Sequence, residues 1–144
     1  MTRTPKDVGI IGATGSVGGA ALWICEKFPD RFRVRALAAQ RNVDAMEALV
    51  RRFNPEVVAL AGEGAAAELA SRLGGGGWIF GGVGALDRMV AELPGVHWVF
   101  ASSGTGALGA LERALVQGDD VSLANKESVV VAGPWILPLV SRKD

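Results

Sequence analysis

The feature that most constrains the fold is an alternation of short apolar, β-rich runs with segments of helical periodicity, repeated along the whole chain. Parallel neighbouring strands need a crossover connection, which is usually a helix, so this alternation favours a parallel sheet. Strands that are apolar throughout, such as "VHWVF", are typical of a sheet covered on both faces. The sequence therefore predicts one α/β domain with a doubly wound, mostly parallel, Rossmann-like sheet and helices on both faces.

The predicted elements have ordinary start and stop signals. Apolar residues recur at helical spacing over residues 16–28, and Pro29 ends that helix. Glycines 74–77 separate the third helix from the fourth strand. The strands are expected at 8–12, 32–39, 56–61, 78–80, 96–100 and 120–124, and the helices at 16–28, 42–53, 64–73, 85–92 and about 107–116.

Length and composition fit a single soluble domain over residues 1–144. Acidic and basic residues balance at 15 each, which argues against a nucleic-acid-binding surface. The first residues lack the apolar core of a signal peptide, and no apolar run is long enough to span a membrane. The single cysteine, Cys25, cannot form an internal disulfide and is expected in the core. We therefore expect a cytoplasmic protein whose partner is a small molecule.

A glycine-rich turn follows the first predicted strand and opens the first helix. In "GIIGATGSVGG", Gly12, Gly15 and Gly18 are spaced three apart. Glycine permits a tight strand-to-helix turn and lets a diphosphate approach the amides at a helix N-terminus, where Thr14 and Ser16 can add hydroxyl hydrogen bonds. The alternative is a structural turn in which Thr14 or Ser16 caps the helix. The position at the first strand–helix junction favours dinucleotide binding.

The end of the second strand indicates which dinucleotide is bound. NAD-specific domains carry an acid here for the ribose 2′-hydroxyl, but in "LAAQRNVD" no acid precedes Asp44. Arg41 stands in this region, and a guanidinium matches a 2′-phosphate. Alternatively, Arg41 is a solvated loop residue and Asn42 caps the second helix, a role compatible with both interpretations. We favour NADP(H) over NAD(H).

Four motifs, in order and spacing, resemble 1-deoxy-D-xylulose-5-phosphate reductoisomerases. They are "GATGSVG", "FRVRALAAQRNV", "SSGTGALGALERAL" and "LANKES", and the resemblance covers nearly the whole chain. Members of this family rearrange 1-deoxy-D-xylulose 5-phosphate with a divalent metal (Mg or Mn) and reduce the product with NADPH to 2-C-methyl-D-erythritol 4-phosphate, in non-mevalonate isoprenoid synthesis. The alternatives are the cofactor domain of another NADP-dependent dehydrogenase, such as aspartate-semialdehyde dehydrogenase, and a non-catalytic nucleotide-binding module.

The resemblance assigns roles to individual residues. It implies that Lys126 reaches the sugar-phosphate substrate, although an N-cap at Asn125 followed by solvated residues would also fit "ANKES". It also implies that the loop at Ser102, Ser103 and Gly104 passes near the nicotinamide, where an ordinary serine–glycine turn is the alternative. The cofactor-binding residues implied are Gly12, Thr14, Gly15, Ser16 and Val17 at the diphosphate, Gln40, Arg41 and Asn42 at the 2′-phosphate, and Asn125 and Glu127 toward the nicotinamide.

The family's acidic metal-binding segment follows the "ANKE" element and is not found before the last residue, Asp144. We therefore expect a cofactor-binding domain without catalytic or metal-ligating residues, inactive alone, from an enzyme that is a homodimer when complete. The lone histidine, His97, lies in an apolar strand and is expected to be buried and structural. The four tryptophans are expected to pack in the core.

Overall fold

The computed structural model describes residues 4–75, 78–102 and 106–124. Within these ranges the chain forms a sheet in which all neighbouring strands are parallel, with helices between consecutive strands. This confirms the predicted fold class. The strands are β1 Lys6–Ile11, β2 Phe32–Ala39, β3 Val57–Leu60, β4 Ile79–Gly81, β5 His97–Phe100 and β6 Val121–Leu123, and the helices are α1 Ser16–Lys27, α2 Val43–Phe53, α3 Glu63–Arg72, α4 Ala85–Glu92 and α5 Leu108–Val116.

The strand order, β4-β3-β2-β1-β5-β6, shows how the chain winds. It runs outward from β1 to β4 and then returns to lie beside β1 as β5. Buried residues of α1 and α2 pack with Leu69 of α3 on one face of the sheet, and those of α4 and α5 pack on the other. The winding direction therefore changes between β1 and β5. In open α/β sheets, ligands bind beyond the carboxyl ends of the strands at such a switch point.

The predicted boundaries are correct to within a few residues. Strand β1 begins at Lys6 rather than residue 8, because the Lys6 amide donates a 2.9 Å hydrogen bond to the carbonyl of Arg31 and extends the pairing with β2. Helix α4 has the predicted bounds. Gly9 of β1 lies under the indole ring of Trp98 in β5, and a Cβ at Gly9 would collide with that ring.

The sheet's amino edge is held together by polar side chains that the sequence did not single out. Asp119, only 3% exposed, accepts hydrogen bonds from the Gly95 amide at 2.7 Å, Trp98 Nε1 at 3.1 Å and Gln117 Nε2 at 2.8 Å. A buried carboxylate needs such donors to replace the water it loses on folding. Asp119 thus ties the start of β5 to the turn after α5.

A second cluster at this edge joins the first three strands. Arg35 of β2 donates at 2.9 Å to Asp7 of β1 and at 2.5 Å to Glu56 before β3, and Arg33 also pairs with Asp7. Burial would raise the pKa of Asp7, but the hydrogen bonds from both arginines hold it below its usual value of 3.8. The hydrogen bond from Arg35 similarly lowers the pKa of Glu56. Both side chains therefore lose their protons at a lower pH in the folded protein than in the unfolded chain.

The expectations for the cysteine, histidine and tryptophans were partly right. Cys25 is buried on α1, as expected, and burial raises the pKa of its thiol. His97 is only half-buried; its Nε2 lies 2.7 Å from Ser122 Oγ at the amino end of β5. Trp98 is fully buried, but Trp23 is 57% exposed beside Lys27, so its placement in the core was wrong. Trp135 lies outside the described residues.

Candidate nucleotide-binding site

The glycine loop after β1 lies at the switch point and contacts the segment after β5. The Gly12 and Ala13 amides both donate to the carbonyl of Ala38 at 2.9 Å, which fixes the loop to β2. Gly12 has a φ of 92°, which favours glycine, and a Cβ there would lie 2.5 Å from the Ser102 backbone nitrogen. The first loop and Ser102 therefore meet at the carboxyl edge of the sheet.

Helix α1 begins without a side-chain cap. Its N-cap is Gly15, and no side-chain cap hydrogen bond is formed, so the capping role that the structural-turn alternative gave to Thr14 or Ser16 is wrong. Among the described residues, a Cβ at Gly15 would meet only the Gly12 carbonyl, at an ordinary 3.6 Å, and Gly15, Ser16 and Val17 are exposed. Uncapped amides of a helix's first turn attract an anion. This geometry suits a phosphate group.

Gly18 allows the start of α1 to pack closely against the glycine loop. It is buried, and a Cβ there would lie 2.9 Å from Ala13 Cα and from the Gly12 carbonyl carbon. The third glycine of the motif thus permits close packing against the loop backbone itself. The spacing of the three glycines is explained by one compact turn.

The loop after β2 presents the guanidinium of Arg41 at the surface. Arg41 is exposed, and within the described ranges no carboxylate forms an ion pair with it. Its Cγ lies 3.2 Å from the position of a Cβ on Gly62, the residue before α3. Asn42 caps α2, its side-chain oxygen accepting from the Ala45 amide at 3.1 Å. That cap was predicted, and in the described part of the chain the amide nitrogen of Asn42 forms no hydrogen bond.

The nearest downstream acid is directed into an ion-pair cluster on the helices. Asp44, in the first turn of α2, pairs with Arg72 of α3 at 2.6 Å. Arg72 also pairs with Glu47 and Glu68, and its hydrogen bonds to Asp44, Glu47 and Glu68 raise its pKa. The negative charge of Asp44 is therefore balanced by Arg72. The charged side chain that the loop after β2 presents is the positive Arg41.

Two glycines that the sequence analysis did not select also shape this edge. Gly62 leaves room for the Arg41 stem, and Gly106 faces the amide nitrogen of Gln40, which lies 3.8 Å from the position of a Cβ there. The position of each glycine shortly after a predicted strand is the sequence feature that could have indicated its role. The contacts of Gly62 with Arg41 and of Gly106 with Gln40 could not be predicted from local sequence, because each joins residues far apart in the chain.

Several predicted residues cannot be placed. Asn125, Lys126 and Glu127 lie outside the described residues, as do Ser103 and Gly104. Among the residues that are described, no group of three or more histidine, cysteine or acidic side chains could hold a metal ion, so this part of the chain does not fit a divalent cation. Nor does any helix in those ranges have the length and apolar character needed to cross a membrane.

Comparison with known proteins agrees with the Rossmann-like class that the fold and the glycine loop define. The family model described as 1-deoxy-D-xylulose 5-phosphate reductoisomerase matches residues 8–133. The chain therefore belongs to the 1-deoxy-D-xylulose 5-phosphate reductoisomerase family. This membership favours the predicted family over aspartate-semialdehyde dehydrogenase.

Relatives and solved structures give the extent of the match. A reductoisomerase of Synechococcus sp. strain CC9605 is 38% identical over 92% of this chain, and the chloroplastic one of Oryza sativa subsp. japonica is 38% identical over 96%. The Zymomonas mobilis enzyme, solved in complex with NADPH, has a TM-score of 0.88 at 32% identity over 98% of this chain. The chain spans only 34%, 30% and 37% of these proteins, respectively.

Proposed function

We propose that this chain is the NADPH-binding domain of a 1-deoxy-D-xylulose 5-phosphate reductoisomerase. The observation that carries the proposal concerns the described residues, in which the N-terminus of α1 has no side-chain cap and the exposed Arg41 guanidinium has no ion-pair partner. These are the two anion sites that a dinucleotide with a 2′-phosphate requires. A solved reductoisomerase is described as a complex with NADPH, fosmidomycin and magnesium, at 29% identity and a TM-score of 0.87.

The cofactor would lie across the carboxyl ends of β2, β1 and β5. The adenosine end would meet the loop of Gln40, Arg41 and Asn42, and the nicotinamide end would lie toward Ser102. Asn125 and Glu127 would contact the nicotinamide end, and Lys126 the substrate, as family resemblance implies. The diphosphate would lie against the glycine loop, contacting Gly12, Thr14, Gly15, Ser16 and Val17.

The complete enzyme would rearrange 1-deoxy-D-xylulose 5-phosphate and reduce the product to 2-C-methyl-D-erythritol 4-phosphate. The relatives are about three times as long as this chain, since it spans 34% and 30% of them. We infer that residues 1–144 form a single cofactor domain, inactive alone. The Mg or Mn site would be supplied by other parts of an enzyme that is cytoplasmic and homodimeric.

Calorimetric titration of the chain with NADPH and NADH tests the binding proposal. We expect saturable binding that is tighter for NADPH, and a loss of about 10–100-fold for NADPH in Arg41→Ala, since a hydrogen bond to a charged group contributes about 1.5–3 kcal/mol. Arg31→Ala is the matched control, because Arg31 is also exposed but lies at the opposite edge of the sheet. No binding of either cofactor would contradict the proposal. A non-catalytic module would bind NADPH but gain no activity when the family's remaining segments are joined to it.

A further inference from the structure

Gln40 and Arg41 leave the end of β2 in opposite directions. The Arg41 stem lies against Gly62, on the side of β3 and α3, whereas the Gln40 amide reaches Gly106 just before α5. The backbone between them is fixed, because the Gln40 carbonyl accepts a 3.0 Å hydrogen bond from the Gly62 amide. The two side chains therefore cannot be treated as one phosphate-binding pair.

The Gln40 amide lies next to the residue at which the described chain resumes before α5. Strand β1 lies between β2 and β5 in the sheet, and the Gln40 Nε2 atom lies 3.8 Å from the position of a Cβ on Gly106, beyond β5. Both residues are exposed, and no hydrogen bond to the Gln40 amide forms within the described part of the chain. Among the described residues the amide thus presents a donor and an acceptor beside Gly106, whereas the Arg41 stem lies beside Gly62.

We propose that Gln40 contacts the adenine base of the cofactor, and that the 2′-phosphate is read by Arg41 alone of these two residues. This inference rests on the proposed function. A primary amide pairs a donor with an acceptor, as the N6 and N7 edge of adenine does, so the two can form two hydrogen bonds. Gln40 then contributes equally to the binding of NADPH and of NADH, and Arg41 accounts for the preference for NADPH.

The test compares the unchanged chain with Gln40→Ala and Arg41→Ala, each titrated with NADPH and NADH. Gln40→Ala should weaken both cofactors by the same factor, about 3–10-fold, because neutral hydrogen bonds contribute about 0.5–1.5 kcal/mol. Arg41→Ala should weaken NADPH selectively. The melting temperature of Gln40→Ala should be unchanged, since the side chain is exposed.

Reduced nicotinamide hypoxanthine dinucleotide phosphate, which differs from NADPH only in its base, provides a second readout. The unchanged chain should prefer NADPH to this analogue, and Gln40→Ala should bind the two alike. A loss confined to NADPH, no loss for either cofactor, or a retained preference against hypoxanthine would overturn the assignment of Gln40. If the unchanged chain binds neither cofactor, the proposed function fails, and the assignment of Gln40 fails with it.

Discussion

The backbone of Ser102 fills the space that a side chain at Gly12 would need. A Cβ on Gly12 would lie 2.5 Å from the Ser102 nitrogen and 2.7 Å from its Cα. Gly12 begins the loop proposed to hold the diphosphate, and Ser102 lies in the segment proposed to approach the nicotinamide. The diphosphate and nicotinamide parts of the proposed site are therefore packed against each other through the backbone.

Gly12→Ala should destabilise the chain by about 2–4 kcal/mol, because it adds left-handed strain at a φ of 92° to a backbone collision. Gly19→Ala is the matched control on α1. A Cβ there meets no described residue within 4 Å, so the substitution should stabilise the chain by about 0.5–1 kcal/mol. Urea unfolding of both variants measures the difference. Equal midpoints would show that the contact between Gly12 and Ser102 is not close-packed.

Asp119→Ala should cost about 2–4 kcal/mol, because it leaves the Gly95 amide, the Trp98 indole and the Gln117 amide without their shared buried acceptor. The neighbouring Asp120→Ala provides the comparison. Its ion pair with Lys6 is exposed and 3.7 Å long, so we expect a change below about 1 kcal/mol. Thermal melts should separate the two variants clearly. Similar melting temperatures would contradict a structural role for the Asp119 carboxylate.

The free energy of unfolding should fall as the pH is lowered from about 5 to about 3. In the folded chain the pKa values of Asp7 and Glu56 lie below their usual 3.8 and 4.5. Burial acts against this at both residues, but Arg35 donates hydrogen bonds to both carboxylates and Arg33 donates one to Asp7. The unfolded chain therefore takes up protons first as the pH drops, and the stability that these ionised groups contribute at neutral pH is lost. Urea unfolding midpoints across this range measure the effect.

Arg35→Gln is the control for the acid effect. The variant should be less stable than the unchanged chain at pH 7, by roughly 1 kcal/mol for each ion pair lost. Its stability should also fall less on acidification, so the two curves should converge near pH 3. Parallel curves would mean that Arg35 does not lower the pKa of either carboxylate.

The fold could be predicted because its signals are local in sequence. The alternation of apolar strands with helices predicts the doubly wound sheet, and Asn42 is recognisable as a cap from its position before a helix. The glycine loop was placed by the same means. These features depend on residues within about one turn of each other, where the backbone preferences of glycine and asparagine act directly.

The parts that were not predicted depend on long-range contacts. From the sequence alone, Asp119 resembles an exposed acid in a turn. Its burial depends on hydrogen bonds from Gly95 and Trp98, which are distant in the chain and become its neighbours only in the folded sheet. Gln40 was assigned to the 2′-phosphate together with Arg41 because the family resemblance implied it, but in the folded chain the two side chains lie against different glycines. Their separate directions follow only from the positions of Gly62 and Gly106 in the folded chain.

The separation of the two sheet edges has a consequence for random mutagenesis. Asp119 and the cluster around Arg35 occupy the amino edge, while the glycine loop and Arg41 occupy the carboxyl edge. A selection for thermal tolerance and a selection for altered cofactor preference should therefore recover variants at largely different positions. Gly12 and Gly18 are the exceptions, since both belong to the binding loop and are packed against backbone, Gly12 against Ser102 and Gly18 against Ala13. A library that spares them would let the two properties be improved independently.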